Sequence, residues 1–83
     1  MVAAASDEIW NGGAACGTYY KVICTGGTNL GVAQPCTGQS VTVQIVDRCR
    51  SPQCQGTLDL SEDAFAAIAD LAAGKILIQY GQA

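Results

Sequence analysis

The stretch Ser40-Val41-Thr42-Val43-Gln44-Ile45-Val46-Asp47 decides the fold class of this 83-residue chain. Its β-branched apolar residues occur at every second position and alternate with polar residues, which is the pattern of a strand with one face in a core. We therefore predict a strand over residues 40–46 that Asp47 closes, with Val41, Val43 and Ile45 on its buried face.

Strand signals also lie on both sides of this stretch. Residues 19–24 and 75–80 are rich in aromatic and β-branched side chains. The second segment places three of its large apolar residues on one face: Ile76, Ile78 and Tyr80. Residues 25–29 have the composition of a turn, and Pro35 argues against a central strand over residues 31–38.

The main helix is predicted between the last two extended segments. Ser61 is placed as its N-cap, with acidic residues in the first turn, and Gly74 is placed to end it. Leu60 has the spacing of a hydrophobic staple with Phe65. The apolar residues of this helix share one face: Phe65, Ile68, Leu71 and Ala72. Several strands with one substantial helix late in the chain indicate a small β-barrel with a helix packed beside it.

The first residues carry two separate signals. Residues 2–6 lack the basic start and long apolar middle of a signal peptide, so we expect the chain to be a piece of a longer secreted protein, without its signal and first strand. Ser6 is placed to cap a short helical turn, with Asp7 and Glu8 at the positive end of that turn. Asn11 and the two glycines after it are expected to end the turn.

The cysteine content indicates an oxidising compartment. A chain of 83 residues makes one small domain whose core alone is marginal, and five cysteines can supply covalent cross-links. A zinc site fits poorly, because the chain has no histidine and its nearest cysteines, Cys49 and Cys54, have four residues between them. Because five is an odd number, at least one cysteine must remain outside any intramolecular pairing.

Charge and motifs exclude several function classes. The net charge is −3 with four basic residues, so the basic footprint of a nucleic-acid binder is missing, and Arg48 with Arg50 does not form a patch. No apolar run approaches the length of a membrane span. Without histidine there is no Ser-His or Cys-His pair, and no cofactor is predicted, since Gly26-Gly27 is not followed by the rest of a phosphate-binding loop.

Several ordered motifs give the chain a family resemblance. They are Gly13-Ala14-Ala15-Cys16-Gly17, Tyr20-Lys21-Val22-Ile23-Cys24, Pro35-Cys36-Thr37-Gly38, Val41 to Cys49, Gly56-Thr57-Leu58-Asp59-Leu60-Ser61, and Ala64-Phe65. Over about residues 6–80 the chain resembles the expansin-like family with an EG45-type domain, and above all plant natriuretic peptide-like and blight-associated proteins. The resemblance implies a single double-psi β-barrel over residues 1–83, without the first strand and first cysteine of the family.

The resemblance also implies how the cysteines pair. Cys24 is expected to pair with Cys36 and Cys49 with Cys54, which leaves Cys16 as the free thiol. A barrel without its first strand has two open edges of unpaired backbone groups. Either the domain closes around the gap, or another chain fills the gap. Self-association through these open edges is one form of the second outcome.

Asp47 and Asp59 form the constellation with most chemical promise. Asp47 follows a strand and Asp59 precedes a helix cap, so both could line one groove together with Tyr19 and Tyr20. In expansins the matching aspartates lie on the polysaccharide-binding surface, and in related glycoside hydrolases the Asp59 position is the general acid. An inverting hydrolase needs a second carboxylate, which the family places on the first strand. The structural alternative is that both aspartates bond nearby backbone amides.

Three functions follow from the resemblance. The first is a secreted, non-hydrolytic natriuretic peptide-like protein that signals in water and ion balance or in stress through a membrane receptor. The second is a binder of cell-wall polysaccharide, and the third is a weak or vestigial glycoside hydrolase. All three place the protein outside the cell, in the apoplast or cell wall. Tyr19, Tyr20, Trp10 and Tyr80 could stack on sugars, although Trp10 has the pattern of a core residue.

Overall fold

The computed structural model describes residues 1–28, 33–49 and 56–83. Its regular elements, in chain order, are β1 (Val2–Ser6), α1 (Asp7–Trp10), a 3₁₀ turn (Asn11–Gly13), β2 (Tyr19–Gly27), β3 (Ser40–Cys49), β4 (Leu58–Leu60), α2 (Glu62–Ile68), a second 3₁₀ turn (Leu71–Ala73) and β5 (Ile76–Gln82). The fold is mainly β, which confirms the fold class predicted from the alternating pattern.

The described strands form one sheet with β3 at its centre. The strand order is β4-β1-β3-β2-β5. β3 pairs parallel with β1 and antiparallel with β2, while β4 and β5 pair antiparallel with β1 and β2 respectively. β4 and β5 are therefore the two ends of the sheet, and they run in opposite directions.

The core lies on one face of this sheet, against α2. The largest fully buried side chains are Val22, Val43, Ile45 and Ile68. The inward residues of β3 are those that the alternation predicted, because Val41, Val43 and Ile45 are all buried. Ile68 brings α2 onto this face, so the helix covers the middle of the sheet.

Residues 2–6 form strand β1, which the sequence pattern did not predict. Ala3 pairs with Ile45 and Ala5 pairs with Arg48, and both alanines are buried. Small side chains suit this position because β1 lies between β3 and β4 with α2 beside them. Alanine has low strand propensity, so neither composition nor alternation indicated a strand here.

Two strands extend further than their sequence pattern predicted. β3 does not end at Asp47 but continues to Cys49, because Ala4, Ala5 and Ser6 of β1 pair with its last three residues. β2 continues to Gly27, through part of the predicted turn. A register shift between Cys24 and Gly26 passes over one residue, after which Gly26 and Gly27 pair with β5.

α2 is shorter than predicted, because it ends at Ile68 rather than near Gly74. The segment around Cys36 takes the hydrogen-bonding groups at its end: Ile68 and Ala67 accept bonds from the Thr37 amide and hydroxyl, respectively. Ala69 then adopts an extended conformation and forms a bridge with Cys36. As a result Leu71 lies in a separate 3₁₀ turn and is 49% exposed, not on the apolar face of the helix.

Both serines occupy the predicted N-cap positions, but neither side chain caps its helix. The hydroxyl of Ser6 is buried, with no hydrogen-bond partner in the described residues. The hydroxyl of Ser61 instead donates to Asp63, over 2.6 Å, and accepts the amide hydrogen of Val2 over 3.2 Å. Ser61 therefore connects the start of α2 to the start of β1.

Cys24 and Cys36 form a disulfide bond whose Cα atoms are 5.3 Å apart. Cys16 has a free, exposed thiol. The expected bridge between Cys49 and Cys54 includes residue 54, which lies outside the described residues. No helix in the described ranges is long and apolar enough to cross a membrane.

Candidate functional site

Asp47 and Asp59 lie in one row across three neighbouring strands. Asp59 of β4 pairs with Ala4 of β1, and Ala4 pairs on its other side with Asp47 of β3. Ala4 alternates with the buried Ala3 and Ala5, so it faces away from the core. Directly paired residues point to the same side of a sheet, so both aspartates share this outer face with Ala4. We call Asp59, Ala4 and Asp47 the carboxylate row.

The geometry of the carboxylate row suits contact with an extended ligand. Two strand spacings separate the Cα atoms of the two aspartates, which amounts to about 10 Å. Both aspartates are exposed, and the residue between them is an alanine, so no large side chain rises between the carboxylates. A flat polymer crossing the strands could therefore reach both carboxylates from the same side.

The two carboxylates differ in their local bonding. Asp47 Oδ1 accepts the backbone amide of Arg48 over 2.7 Å, as the structural alternative for Asp47 supposed. Within the described ranges no hydrogen bond or ion pair engages the Asp59 carboxylate. At the start of α2 the amide of Ala64 donates to Asp63 over 3.0 Å. Asp59 is thus open to a ligand.

Asp63 is the carboxylate committed to structure at this end of the domain. The Ser61 hydroxyl donates to it, and this bond is the main reason that the pKa of Asp63 lies below its ordinary value, with the Ala64 amide as a smaller cause. Both bonds stabilise the ionised form. Asp63 therefore supports the start of α2, which leaves Asp59, four positions earlier, free of that role.

The two predicted tyrosines lie on opposite faces of the sheet. Tyr19 pairs with Gln44, which pairs with Val2 of β1, and its side chain is 51% exposed on the same outer face as the carboxylate row. Tyr20 faces inward, where its ring packs against that of Tyr80 with 6.1 Å between centroids. The structure therefore brings Tyr19 onto the face of the aspartates and separates Tyr20 from it.

A groove of about 570 Å³ lies between β4 and β5, and Asp59 is one of its lining residues. Its walls come from β4, α2, the second 3₁₀ turn and β5, and they are mainly apolar: Leu58, Leu60, Phe65, Leu71, Ile76, Leu77, Ile78 and Tyr80. Three charged residues also line it: Asp59, Glu62 and Lys75. Asp47, Tyr19 and Tyr20 do not line this groove. The four predicted site residues therefore do not share one groove. Asp47 and Tyr19 lie on the outer face, and Asp59 lies where that face meets the groove.

Glu62 and Lys75 were not identified as site residues from the sequence. The sequence pattern places Glu62 in the first turn of a helix and Lys75 at the start of the predicted strand over residues 75–80. The signal that could have found Glu62 is its spacing of three residues from Asp59 across a strand-to-helix junction. Within the described residues, no three His, Cys, Asp or Glu side chains are grouped as a metal site.

Comparison with known proteins finds similar sequences over nearly the whole chain. A family model described as lytic transglycolase, of the DPBB_1 type, matches residues 2–80. An EG45-like domain containing protein of Citrus jambhiri is 54% identical over 83 residues, which is all of this chain and 63% of that protein. EG45-like domain containing protein 2 of Arabidopsis thaliana is 44% identical over 96% of this chain and 60% of that protein. The chain thus spans about three-fifths of the length of these relatives.

Two solved structures have a similar fold. An expansin of Clavibacter michiganensis superimposes with a TM-score of 0.77 at 37% identity, covering 100% of this chain and 35% of that one. A mutant of the same expansin, solved in complex with cellohexaose, superimposes with a TM-score of 0.76 at 34% identity over the same share of both chains. These matches confirm the double-psi β-barrel fold class.

Proposed function

The chain belongs to the EG45-like, expansin-related family of double-psi β-barrel domains, and we propose that it is an extracellular domain that binds cell-wall polysaccharide without hydrolysing it. The expected ligand is a β-linked glucan chain that lies across the outer face of the sheet. Asp59 and Asp47 accept hydrogen bonds from sugar hydroxyl groups, and Tyr19 supplies an apolar ring on which a sugar can pack.

The carboxylate row is the observation that carries this proposal. It places two carboxylates and the ring of Tyr19 on one exposed sheet face, and the carboxylate of Asp59 has no partner in the described residues. A similar expansin, of which this chain covers 35%, was solved in complex with cellohexaose, and this supports a glucan as the class of ligand. A flat, open face suits a polymer, which must be bound along its length rather than enclosed.

The same geometry argues against hydrolysis on the outer face. An inverting glycosidase places its acid and its base on opposite sides of the scissile bond, with room for a water beside the base. Asp47 and Asp59 project from the same side of one sheet, so a chain lying on that face meets both from below. Asp47 Oδ1 also accepts the Arg48 amide, which leaves that oxygen less available to act as a base.

Binding and hydrolysis can be separated by two assays on the same samples. We expect the protein to be retained on insoluble cellulose and to release no reducing sugar. Asp59→Asn should weaken retention about three- to tenfold, since a hydrogen bond to a charged group contributes about 1.5–3 kcal/mol and the amide keeps part of it. Glu8→Gln changes charge equally on α1, outside the row, and should leave retention unchanged.

Two results would contradict this function. Equal retention of the wild type and Asp59→Asn would show that the carboxylate row does not hold the polymer. Sugar release that is abolished by Glu62→Gln would instead assign hydrolysis to the groove, where Asp59 and Glu62 are the two carboxylates.

Extracellular signalling is the second candidate function. The specific observation in its favour is that identity is 44–54% with the EG45-like proteins but 32–36% with the plant expansins. Under this alternative the outer face binds a membrane receptor, and the protein signals in water and ion balance as a natriuretic peptide-like protein. Saturable binding to plant membrane fractions, with no retention on cellulose, chitin or pectin, would favour signalling over wall binding.

A further inference from the structure

Tyr19 and Gln44 form a second pair of side chains on the outer face, beside the carboxylate row. The two residues are directly paired across β2 and β3. Gln44 alternates with the buried Val43 and Ile45, so its side chain lies on the outer face, as does that of Tyr19. β2 and β3 each have a neighbouring strand on both sides, so this position does not depend on the ends of the sheet. We call Tyr19 and Gln44 the ring–amide pair.

The side-chain amide of Gln44 is held in place by the protein itself. Its Nε2 atom donates to the Gly17 carbonyl over 3.3 Å. Gly17 is in turn fixed to β3, because its backbone amide donates to the Ile45 carbonyl over 2.7 Å. The Gln44 Oε1 atom accepts no hydrogen bond within the described residues, so it is left to accept one from a ligand. A side chain that is already ordered loses less conformational entropy on binding.

The ring and the amide suit two sides of one sugar. The Tyr19 side chain is 51% exposed, so its ring is accessible to the apolar face of a sugar. Directly paired residues have Cβ atoms about 4.5–5.5 Å apart, so the Gln44 amide can reach a hydroxyl group at the edge of the same sugar. Neither side chain is charged at neutral pH, so the pair selects by shape and hydrogen bonding rather than by charge.

The strand pairing sets the distance between the ring–amide pair and the two aspartates. The pairing with β1 places Gln44 two residues away from the carboxylate row, which amounts to about 7 Å along the strands. Tyr19 is one strand spacing from β3 and three from β4, so its Cα atom lies about 8 Å from that of Asp47 and about 16 Å from that of Asp59. A disaccharide is shorter than the separation of Asp59 and Tyr19, whereas an extended tetrasaccharide spans it.

We propose that the ring–amide pair is the far subsite of the polysaccharide site, so that the outer face recognises an extended, β-linked chain of at least a tetrasaccharide in length. This inference rests on the proposed function. One end of the bound segment lies at Asp59, its middle passes Asp47, and the sugar at its other end packs on Tyr19 and bonds to Gln44 Oε1. A coiled, α-linked glucan of the same length does not follow this line, because its chain curves away from a flat face. Gln44 is therefore a specificity-determining residue for chain length.

The dependence of affinity on chain length tests this inference. Dissociation constants are measured by amide chemical-shift titration for cellobiose, cellotetraose and cellohexaose, with maltohexaose as the α-linked control. Cellotetraose should bind about five- to twentyfold more tightly than cellobiose, since it adds an aromatic contact and a hydrogen bond. The further gain from cellotetraose to cellohexaose should be smaller, and maltohexaose should bind no better than cellobiose.

Variants of the ring–amide pair show whether these residues produce the dependence on length. Gln44→Met keeps the length of the side chain and removes its amide, so it should weaken cellotetraose binding about three- to fivefold and narrow the difference from cellobiose. Tyr19→Leu should narrow the same difference independently. Gln79→Met makes the matched substitution at an exposed residue of β5, outside both sets of residues, and should leave both affinities unchanged.

Three results would overturn the inference. They are cellobiose that binds as tightly as cellotetraose, equal weakening of both ligands by Gln44→Met, as a merely structural role would give, and maltohexaose that binds as tightly as cellohexaose. The proposed function is judged separately, by retention on cellulose and its weakening in Asp59→Asn. It therefore stands if that retention is found and the dependence on chain length is absent.

Discussion

Ile68→Ala is the substitution for which the structure gives the clearest magnitude. The Ile68 side chain is fully buried and holds α2 against the sheet. Losing three carbons costs about 2.5 kcal/mol at roughly 0.8 kcal/mol for each, and the remaining cavity raises the loss to about 3–4 kcal/mol. The free energy of unfolding of a domain this size is about 4–12 kcal/mol, so the variant should be marginally folded.

Urea denaturation followed by far-ultraviolet circular dichroism measures this loss. At a slope of about 1 kcal/mol per molar urea, we expect the midpoint to fall by about 3 M. Leu71→Ala removes the same number of carbons from a side chain that is 49% exposed, and it should cost less than about 1 kcal/mol. Phe65→Ala should fall between them, because Phe65 is half-buried rather than at the centre of the core. A midpoint that falls further for Leu71→Ala than for Ile68→Ala would refute this account of the core.

Three further predictions concern other parts of the domain. Ala5→Leu should lower stability by about 1–3 kcal/mol in thermal melts, because Ala5 is fully buried, whereas the same change at the half-buried Ala4 should be tolerated better. The pKa of Asp63 is lowered in the fold, so its contribution to stability is present above the unfolded pKa of about 4 and is lost as pH falls through the folded value. Asp63→Asn should therefore reduce the loss of stability between neutral and acidic pH. An unchanged loss would contradict the Ser61 bond. Replacing both Cys24 and Cys36 by alanine should cost about 2–3 kcal/mol in the same melts, and a variant as stable as wild type would show that this cross-link does not restrict the unfolded chain.

The sequence predicts those parts of the fold whose stability depends on local pattern. The alternation in residues 41–45 identifies the central strand and its buried face, and these residues are buried as expected. The extent of that strand could not be predicted, because Asp47, Arg48 and Cys49 continue it only through their pairing with β1. Local composition carries no information about a partner strand that is distant in sequence.

The candidate site shows the same division. The resemblance identified Asp59 and Asp47 as a pair, but only the strand order shows that both flank Ala4 on one face. The separation of Tyr19 from Tyr20 follows from alternation, yet which of them faces outward depends on their cross-strand partners. The groove depends on the curl that brings the ends of the sheet together, and no short stretch of sequence encodes it.

Amide chemical-shift mapping with cellohexaose tests the central claim most directly. If the outer face binds a glucan chain, titration should shift the amide signals of Ala4, Asp47, Asp59 and Tyr19 and leave that of Ile68, in the helix packed on the opposite face, nearly unchanged. Tyr19→Ala should weaken the affinity about two- to tenfold, since an aromatic face contributes about 0.5–1.5 kcal/mol beyond its buried area. Shifts confined to the groove residues Leu71, Ile76 and Ile78, or no shifts at saturating sugar, would contradict the claim that the carboxylate row binds polysaccharide.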